Sequence, residues 1–399
     1  MSHPPAPRPY PNLLNAVTDG LYETFDGRYA DRVVADLLKR DRRWGARDRA
    51  FIAETVYEIV RWRRLLEHLA DRGEPEFLLA AHWWRSYGET LDVPDFPVLY
   101  ATELRANAAS AKTQRAVRES IPDWMDLLGA EELGSEWPAT LTALNQPASV
   151  YLRTNTLKTT RRNLVSSLFG EGFEGEEDER SPEAIRVLQR RNLWATKSFK
   201  LGQYEVQDIG SQRVAHALQV EPGMTVVDAC AGAGGKTLHL AALLGNKGRL
   251  IALDTDERKL RELKRRAKRA GVQNLDVRTI TSSKVIKRLT GQADRVLLDV
   301  PCTGLGVLRR NPDAKWKLQP GFLAEVKTWQ ADILERYVRM ARPGGKVVYA
   351  TCSILPSESE AQVAKFLAKA EGVREEEAER LSPVEDYDGF YWSRLGIGT

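Results

Sequence analysis

Residues 226–237 read Val226-Val-Asp-Ala-Cys-Ala-Gly-Ala-Gly-Gly-Lys-Thr237, an apolar strand that leads into a glycine-rich loop and then into a helix. The glycines allow the backbone of the loop to approach a ligand closely, and the first amide groups of the helix can bind an anionic group. The stretch is not a phosphate-binding P-loop, because that motif requires glycine where Cys230 stands. It instead predicts the ligand loop of a doubly wound α/β domain.

From Gln207 onward, strand and helix patterns alternate around this loop, which is typical of a parallel-rich sheet covered by helices. The second strand ends at Asp254, where a carboxylate can bind the ribose hydroxyls of a nucleotide-like cofactor. The loop and Asp254 together predict a ribose-bearing cofactor. The predicted strands are Thr225 to Ala229, Arg249 to Leu253, Asp276 to Ile280, Arg295 to Leu298 and Lys346 to Tyr349.

Two cysteines follow predicted strands of the same sheet. The segment Arg295-Val-Leu-Leu-Asp-Val-Pro-Cys-Thr-Gly304 carries Asp299 and Cys302, and Val347-Val-Tyr-Ala-Thr-Cys-Ser353 carries Cys352. A buried cysteine is by default a small, inert apolar residue. Here both cysteines and an aspartate belong to the carboxyl edge of the sheet, where open α/β sheets bind their ligands, so the pattern favours a reactive site.

The rest of the chain predicts two further domains. Apolar residues between Tyr29 and Ala70 recur at steps of three and four, which indicates amphipathic helices, with a break at Gly45. Near Pro147 the pattern changes to a strand at Ser149 to Asn155, followed by a helix from Thr160 to Leu168. We therefore expect a helical domain at 1–140, a small α/β module at 141–205 and the large α/β domain at 206–399.

Composition narrows the class of protein. The chain has 399 residues, 42% of them hydrophobic, and carries a net charge of +4, so it can bury large cores. No apolar run has the length of a membrane span, residues 1–11 lack the apolar core of a secretory signal, and three cysteines do not form a metal-finger pattern. These features favour a cytoplasmic protein. The run from Arg258 to Arg269 has eight basic residues in twelve, which suits either a nucleic-acid surface or a solvated helix face.

Three segments resemble motifs of the Nop/Sun (Fmu, RsmB-like) family of RNA cytosine-C5 methyltransferases. They are Asp228–Thr237, the segment Asp-Val-Pro-Cys-Thr-Gly304 with the following Arg-Arg-Asn-Pro-Asp-Ala-Lys-Trp316, and Ala-Thr-Cys-Ser-Ile-Leu-Pro-Ser-Glu358. The resemblance extends from about Tyr151 to the C-terminus. Leu37 to Phe51 more weakly resembles the NusB-like helical domain of the bacterial ribosomal RNA members. The family implies a Rossmann-like class I methyltransferase domain at the C-terminus.

The resemblance also implies a reaction and its residues. The cofactor is S-adenosyl-L-methionine and the product is 5-methylcytosine in RNA, with ribosomal RNA favoured by the NusB-like segment. Cytosine C5 is a weak nucleophile, so a thiolate first adds to C6. Cys352 supplies that thiolate, Asp299 stabilises charge at N3, and Cys302 assists product release. The implied cofactor contacts are Cys230, Ala231, Gly232, Ala233, Gly234, Gly235, Lys236, Asp254, Thr281 and Asp299.

Two positions depart from the family pattern. Thr281 stands where relatives have an acid on the adenine side of the cofactor, and Ala233 replaces a common proline.

The cations after the Cys302 motif flank Trp316 and suit phosphate binding and base stacking, so we expect Arg309, Arg310, Lys315 and Lys317 to contact RNA. The five histidines show no ligand spacing, so we expect no metal site.

Other interpretations remain open. A DNA cytosine methyltransferase shares the chemistry but places its attacking cysteine in the Pro-Cys motif. A nicotinamide-dependent dehydrogenase also has a glycine loop but gives no reason for the paired cysteines. Transfer RNA is an alternative substrate. A catalytically degenerate RNA-binding assembly protein is the non-enzymatic alternative, and the missing acid near Thr281 favours it.

Overall fold

The computed structural model describes residues 3–189 and 191–398 and divides the chain into two compact units. The first unit consists of Met1–Gln146 and Leu308–Pro320, and the second of Pro147–Val307 and Gly321–Thr399. The outer ends of the first and last predicted domains, residues 1, 2 and 399, lie outside the described residues. The two-unit division differs from the predicted three-domain division, which stays a prediction.

The first unit is helical, as its sequence pattern predicts. The N–H of Gly45 donates to the Asp48 carboxylate (2.8 Å), which caps the helix that begins at Ala46. Gly20 packs so closely on the next helix that a Cβ there would lie 2.9 Å from Leu37. The helices are α1 (Pro11–Phe25), α2 (Ala30–Leu37), α3 (Ala46–Arg61), α4 (Arg63–Ala70), α5 (Pro75–Tyr87), α6 (Ala101–Ala111), α7 (Arg115–Arg118), α8 (Asp123–Leu133) and α9 (Trp137–Leu144).

The second unit opens with a small antiparallel sheet, which confirms the predicted α/β module and its strand near Ser149. The sheet has the order β2-β3-β1-β4, and a helix that begins after the Thr160 cap covers it. The core of the module contains Leu152, Leu164 and Ile185. The elements are β1 (Val150–Thr154), α10 (Arg161–Gly170), β2 (Gly175–Glu177), β3 (Ala184–Val187), α11 (Lys197–Lys200) and β4 (Tyr204–Val206).

A seven-stranded sheet forms the rest of the second unit and confirms the Rossmann-like, parallel-rich fold class. Its order is β10-β11-β9-β8-β5-β6-β7, with β7, β6, β5, β8 and β9 parallel and β11 antiparallel to both neighbours. The five predicted strands are present within a few residues of their bounds. The strands are β5 (Thr225–Asp228), β6 (Arg249–Asp254), β7 (Leu275–Thr279), β8 (Ala293–Asp299), β9 (Ala341–Thr351), β10 (Val373–Leu381) and β11 (Phe390–Ile397).

Helices cover both faces of this sheet, and one of them is strongly basic. Residues Leu260, Leu263 and Ala267 of α14 are buried, while most of its cations point to solvent. No helix among the described residues is both long and apolar enough to cross a membrane. The helices of this domain are α12 (Ile209–Ala217), α13 (Gly235–Leu243), α14 (Glu257–Ala270), α15 (Ser283–Lys287), α17 (Phe322–Tyr337) and α18 (Glu360–Leu367), whereas α16 (Ala314–Lys317) belongs to the first unit.

Candidate active site

The polar residues predicted to act together end neighbouring parallel strands. Asp228 ends β5, Asp254 ends β6 and Asp299 ends β8, while Cys352 follows β9 directly. Parallel strands present their carboxyl ends at one edge, so these four side chains belong to the same edge of the sheet. This edge is therefore the candidate active site.

The glycine loop between β5 and α13 is open on one side and tightly packed on the other. Gly232 has a φ of +54°, and a Cβ placed there meets nothing within 4 Å. Gly234 has a φ of +91°, and a Cβ there would lie 2.2 Å from Leu263 on α14. A larger residue at 234 would therefore push the loop away from α14, whereas the open side at 232 leaves room for a ligand.

The Asp254 carboxylate is oriented by backbone donors of the loops around it. Its two oxygens accept hydrogen bonds from the N–H groups of Gly232 and Asp256, each at 2.8 Å. A carboxylate has further lone pairs, so Asp254 can also accept from ligand hydroxyls. The open loop, the start of α13 and this acceptor fit a ribose-bearing cofactor. Thr281, also predicted to contact the cofactor, is exposed beyond the end of β7.

Asp228, before the glycine loop, and Cys230, within it, have shifted pKa values. Burial raises the pKa of Asp228 to about 7, although Thr237 donates a hydrogen bond to its carboxylate at 2.6 Å. Burial and the neighbouring aspartates raise the pKa of the Cys230 thiol well above its ordinary value. Cys230 therefore remains a thiol, and its place in the cofactor loop suits contact rather than nucleophilic attack.

Lys236 and Asp299 form an ion pair across the site, with Nζ 2.8 Å from Oδ2. Burial alone would lower the pKa of Lys236, but the Asp299 carboxylate outweighs this effect and raises it. Lys236 therefore carries a positive charge at neutral pH. The Lys236 ammonium also lies 5.1 Å from the centre of the Phe390 ring, which adds a cation–π contact.

The two predicted reactive cysteines meet at this edge. The Sγ atoms of Cys302 and Cys352 lie 3.3 Å apart, and neither forms a disulfide. The contact with Cys352 and burial raise the pKa of the Cys302 thiol well above its ordinary value. Cys302 therefore keeps its proton more readily than a solvent-exposed thiol does, so the two cysteines are suited to different roles.

Sequence reasoning assigned no role to two buried polar residues of the site. Arg153, from β1, donates to the Gly235 carbonyl at 2.7 Å and to the Gln207 side chain at 2.5 Å, so it ties the small module to the start of α13. Glu358 accepts hydrogen bonds from both cysteine loops. Arg153 is an arginine inside an alternating strand, and Glu358 ends the third quoted motif, so both were visible as candidates.

The structure contradicts the predicted RNA contact of Lys315. This residue is fully buried in the first unit, and its ammonium donates to the carbonyls of Arg61 and Ser120 and to the Asn145 side chain. The prediction is wrong because the surrounding helices enclose the lysine, which sequence spacing does not reveal. Arg309 is also buried, Arg310 is half-buried, and Lys317 pairs with Asp313 at 2.6 Å.

Two of the five histidines, which show no ligand spacing in the sequence, lie beside one carboxylate in the structure. Nε2 of His216 lies 2.7 Å from Oε2 of Glu183, and Nε2 of His239 lies 3.5 Å from the same oxygen. The three residues come from α12, α13 and the turn before β3, so only folding brings them together. The 2.7 Å separation is that of a hydrogen bond, and burial lowers the pKa of His239 to about 3. Among the described residues His216 is hydrogen-bonded to Glu183, whereas neither ring nitrogen of the buried His239 has a hydrogen-bond partner, and the absence of a metal here stays a prediction.

Helix α14 presents its predicted basic run in two parts. Arg266 and Arg269 pair with the buried Glu205 of the small module, the former at 2.9 Å. These two arginines are therefore structural. The remaining cations of the helix are exposed: Arg258, Lys259, Arg261, Lys264, Arg265 and Lys268.

Two family models match the chain. Residues 215–392 match the model described as 16S rRNA methyltransferase RsmB/F, and residues 121–193 match the ferredoxin-like domain of the same methyltransferases. The first match covers the seven-stranded sheet and the candidate active site. The second covers most of the small antiparallel sheet together with α8 and α9.

Curated relatives carry the same description. The chain is 34% identical over 267 residues to a probable ribosomal RNA small subunit methyltransferase B of Synechocystis, which covers 66% of this chain and 60% of that protein. It is 34% identical over 284 residues to the ribosomal RNA small subunit methyltransferase B of Klebsiella pneumoniae, which covers 69% and 65%. The matched region therefore spans less than two thirds of these relatives.

Solved structures share the fold. A methyltransferase homologue from Pyrococcus horikoshii aligns with a TM-score of 0.63 at 27% identity, covering 71% of this chain and 97% of that chain. The protein PH0851 aligns with a TM-score of 0.81 at 22% identity, covering 98% of this chain and 99% of that chain. The second alignment shows that the fold of the helical unit also occurs in a solved protein.

Proposed function

Because the chain belongs to the RsmB/F methyltransferase family, whose two models together match more than half of it, we propose that it methylates C5 of a cytosine in RNA with S-adenosylmethionine. The curated relatives are small-subunit ribosomal RNA methyltransferases, so ribosomal RNA is the proposed substrate. The observation that carries the proposal is the 3.3 Å contact of Cys302 and Cys352 at the ligand edge of the sheet. Paired cysteines match a reaction that forms and later breaks a bond between sulfur and carbon.

The first step is nucleophilic. The Cys352 thiolate adds to C6 of the cytosine, a sulfur–carbon bond forms, and the electron pair of the C5–C6 double bond moves toward N3. Asp299 delivers a proton to N3, where negative charge develops, and the Lys236 ammonium 2.8 Å from Asp299 places a positive charge beside it. C5 then has enough electron density to take the methyl group.

The second half of the reaction restores the ring. The proton at C5 leaves to water, the electron pair of that C–H bond re-forms the C5–C6 double bond, and the bond between Cys352 and C6 breaks to release a thiolate. Cys302 lies beside that sulfur, and its raised pKa keeps a proton available for the departing thiolate. Cys302 therefore acts in release of the product rather than in attack.

The cofactor site of this proposal consists of the glycine loop and its neighbours. S-adenosylmethionine, when bound, would supply the methyl group by breaking its methyl–sulfur bond, and S-adenosylhomocysteine would be the leaving group. Asp254 would accept hydrogen bonds from the ribose hydroxyls, the amides of the glycine loop and of the start of α13 would bind polar groups of the cofactor, and Thr281 would contact its adenine side. The full proposed set is Cys230, Ala231, Gly232, Ala233, Gly234, Gly235, Lys236, Asp254, Thr281 and Asp299.

The substrate base must leave its stack to reach the cysteines, as in other base-modifying enzymes. Arg310, Lys317 and the exposed cations of α14 are the proposed contacts to the RNA backbone. Transfer RNA is a second candidate substrate because the chemistry at the base is identical. A degenerate RNA-binding protein is disfavoured by the simultaneous presence of Lys236, Asp299 and both cysteines.

The test is transfer of labelled methyl from S-adenosylmethionine to ribosomal and transfer RNA, with the product identified as 5-methylcytosine. We expect label in ribosomal RNA, no label with Cys352→Ala, and a stalled covalent protein–RNA complex with Cys302→Ala. Label in transfer RNA alone would show that transfer RNA, and not ribosomal RNA, is the substrate. Cofactor binding without label in either RNA would contradict the proposed substrates, and absence of cofactor binding would favour the degenerate scaffold.

A further inference from the structure

The Glu358 carboxylate accepts four hydrogen bonds although the residue is fully buried. Oε1 accepts from the backbone N–H of Thr303 at 2.8 Å and from the Gln330 amide at 3.0 Å. Oε2 accepts from the hydroxyl groups of Thr303 and Ser353, each at 2.5 Å. All four acceptor positions of the carboxylate are therefore used, and charge-assisted bonds of this kind are the strong ones.

The donors to this carboxylate flank the two cysteines. Thr303 directly follows Cys302, and Ser353 directly follows Cys352. Gln330, from α17, also donates to the carbonyl of Pro301 at 2.9 Å, so the loop around Cys302 is held on both sides of the cysteine. One side chain thus joins the loop after β8 to the loop after β9.

We propose that Glu358 is a positioning residue, whose carboxylate spans the two cysteine loops and thereby holds the Cys302 and Cys352 sulfur atoms in contact. The proposal rests on the proposed cysteine chemistry. Glu358 reaches the reaction only through Thr303 and Ser353, so it is not a catalytic residue. Its own place is secured by its backbone carbonyl, which accepts from the Tyr349 hydroxyl at 2.7 Å.

The charge of Glu358 also affects the Cys302 thiol. Contact with Cys352 and burial raise the pKa of Cys302, and the nearby Glu358 carboxylate adds to the shift. Cys302 therefore holds its proton more strongly than an exposed thiol does. Displacing reacting groups by about 1 Å can cost about a hundredfold in rate, so the span of this side chain matters for turnover.

Three variants of Glu358 separate the effect of its side-chain length from the effect of its charge. Glu358→Ala removes every bond, and Glu358→Asp keeps the charge but is one methylene too short to reach both loops. Glu358→Gln keeps the reach, because its oxygen can accept from Thr303 and Gln330 while its amide donates to the two hydroxyls. Glu360→Gln is the matched control, since Glu360 lies two residues away, is part-exposed and pairs with Arg380.

The kinetic readout is kcat and KM for RNA methylation. We expect Glu358→Ala and Glu358→Asp to lower kcat about a hundredfold with KM for RNA unchanged, Glu358→Gln to stay within about tenfold of the wild type, and Glu360→Gln to match it. The reverse order, with Glu358→Asp active and Glu358→Gln inactive, would overturn the proposal in favour of a purely electrostatic role. A wild-type kcat in both Glu358→Asp and Glu358→Gln would also overturn the proposal.

A second readout does not depend on activity and separates this proposal from the proposed function. In a Cys230→Ala background the chain keeps two cysteines, and a short bis-alkylating reagent that fluoresces only after bridging two thiols reports their contact. We expect rapid bridging with the native Glu358 and with Glu358→Gln, and bridging at least about tenfold slower with Glu358→Asp. Equal rates in all variants would overturn the positioning role, even if the wild type methylates RNA. If Glu358→Ala fails to fold, the Glu358→Asp and Glu358→Gln variants decide the question.

Discussion

The sulfur atoms of Cys302 and Cys352 lie 3.3 Å apart, although 50 residues separate them in the chain. Each cysteine follows one of two adjacent parallel strands, β8 and β9, so the register of the sheet brings them together. A disulfide bond is about 2.05 Å long, so the two sulfur atoms would have to approach by a little more than about 1 Å to form one.

This contact predicts reversible oxidative inactivation. A mild thiol oxidant should convert the pair into a disulfide, and methyl transfer should fall at least about tenfold because Cys352 is then no longer a nucleophile. Dithiothreitol should restore activity. The measurement is peptide mass spectrometry alongside the methylation assay, with Cys230→Ala oxidised in parallel. Inactivation without a Cys302–Cys352 disulfide would contradict the prediction.

Lys315 predicts a stability that depends on pH. Burial lowers its pKa to about 7, whereas the unfolded chain keeps its proton up to about 10.4. Between these values the unfolded state binds more protons than the folded state, so the free energy of unfolding rises with pH. Lys315→Met should remove this rise and cost about 1–3 kcal/mol at high pH by leaving carbonyl acceptors unpaired.

The measurement for Lys315 is urea denaturation at pH 7 and pH 9, followed by tryptophan fluorescence. Lys317→Met is the control, because Lys317 lies on the same short helix but pairs with Asp313. Equal pH dependence in the wild type and in Lys315→Met would show that Lys315 does not titrate in this range.

The exposed cations of α14 predict salt-dependent RNA binding. Lys264→Glu with Lys268→Glu should weaken RNA binding and reduce the slope of log affinity against log salt by about 0.7–0.9 for each lost phosphate contact. The measurement is a binding titration at several salt concentrations. Lys365→Glu with Lys369→Glu makes the same charge change at the C-terminal end of α18 and should leave the slope unchanged. Similar slopes for both double variants would assign α14 the role of a solvated helix face.

The Glu183–His216–His239 cluster predicts loss of stability in acid. Burial lowers the pKa of His239 to about 3, while an unfolded histidine titrates near about 6.5. Between about pH 6.5 and pH 3, His239 therefore binds a proton in the unfolded state but not in the folded state. The free energy of unfolding falls as the pH falls through this window. Although burial opposes it, the contacts with His216 and His239 lower the pKa of Glu183, which adds to the acid sensitivity.

The check is thermal or urea unfolding of His239→Gln at pH 7 and pH 4.5. The stability difference between these pH values should be smaller than in the wild type by about 2–3 kcal/mol. His68→Gln, a change of a histidine in the helical unit, should leave the difference as it is. An unchanged difference in His239→Gln would mean that the ring takes up a proton in the folded state.

Much of the fold was predictable before the structure. The strand, glycine loop and helix at 226–237, the five parallel strands and the helices from Ala30 to Ala70 all lie where their local patterns predict. The β10–β11 hairpin was not predicted, because β10 reads Val-Arg-Glu-Glu-Glu-Ala-Glu-Arg-Leu and resembles a solvated acidic run. This strand lies at the edge of the sheet, where one face and one side remain open to charged residues.

Part of the site was also predictable from local sequence patterns. The loop, Asp254, Asp299 and both cysteines follow strands and carry local signals, so their place at one edge follows from parallel topology. Lys315 has the local signal of an RNA-binding cation, yet its surroundings come from residues near 61, 120 and 145. Burial depends on such distant segments, and no window of sequence contains them.

The sequence by itself determined the class of this protein, since strand periodicity, glycine spacing and the order of the cysteine motifs are local properties of the chain. Only the tertiary structure decided which groups touch: Cys302 with Cys352, Lys236 with Asp299, and Glu358 with both cysteine loops. Such contacts join residues from different strands and helices. Their distances depend on sheet register and helix packing, which arise from the whole folded chain rather than from any single segment.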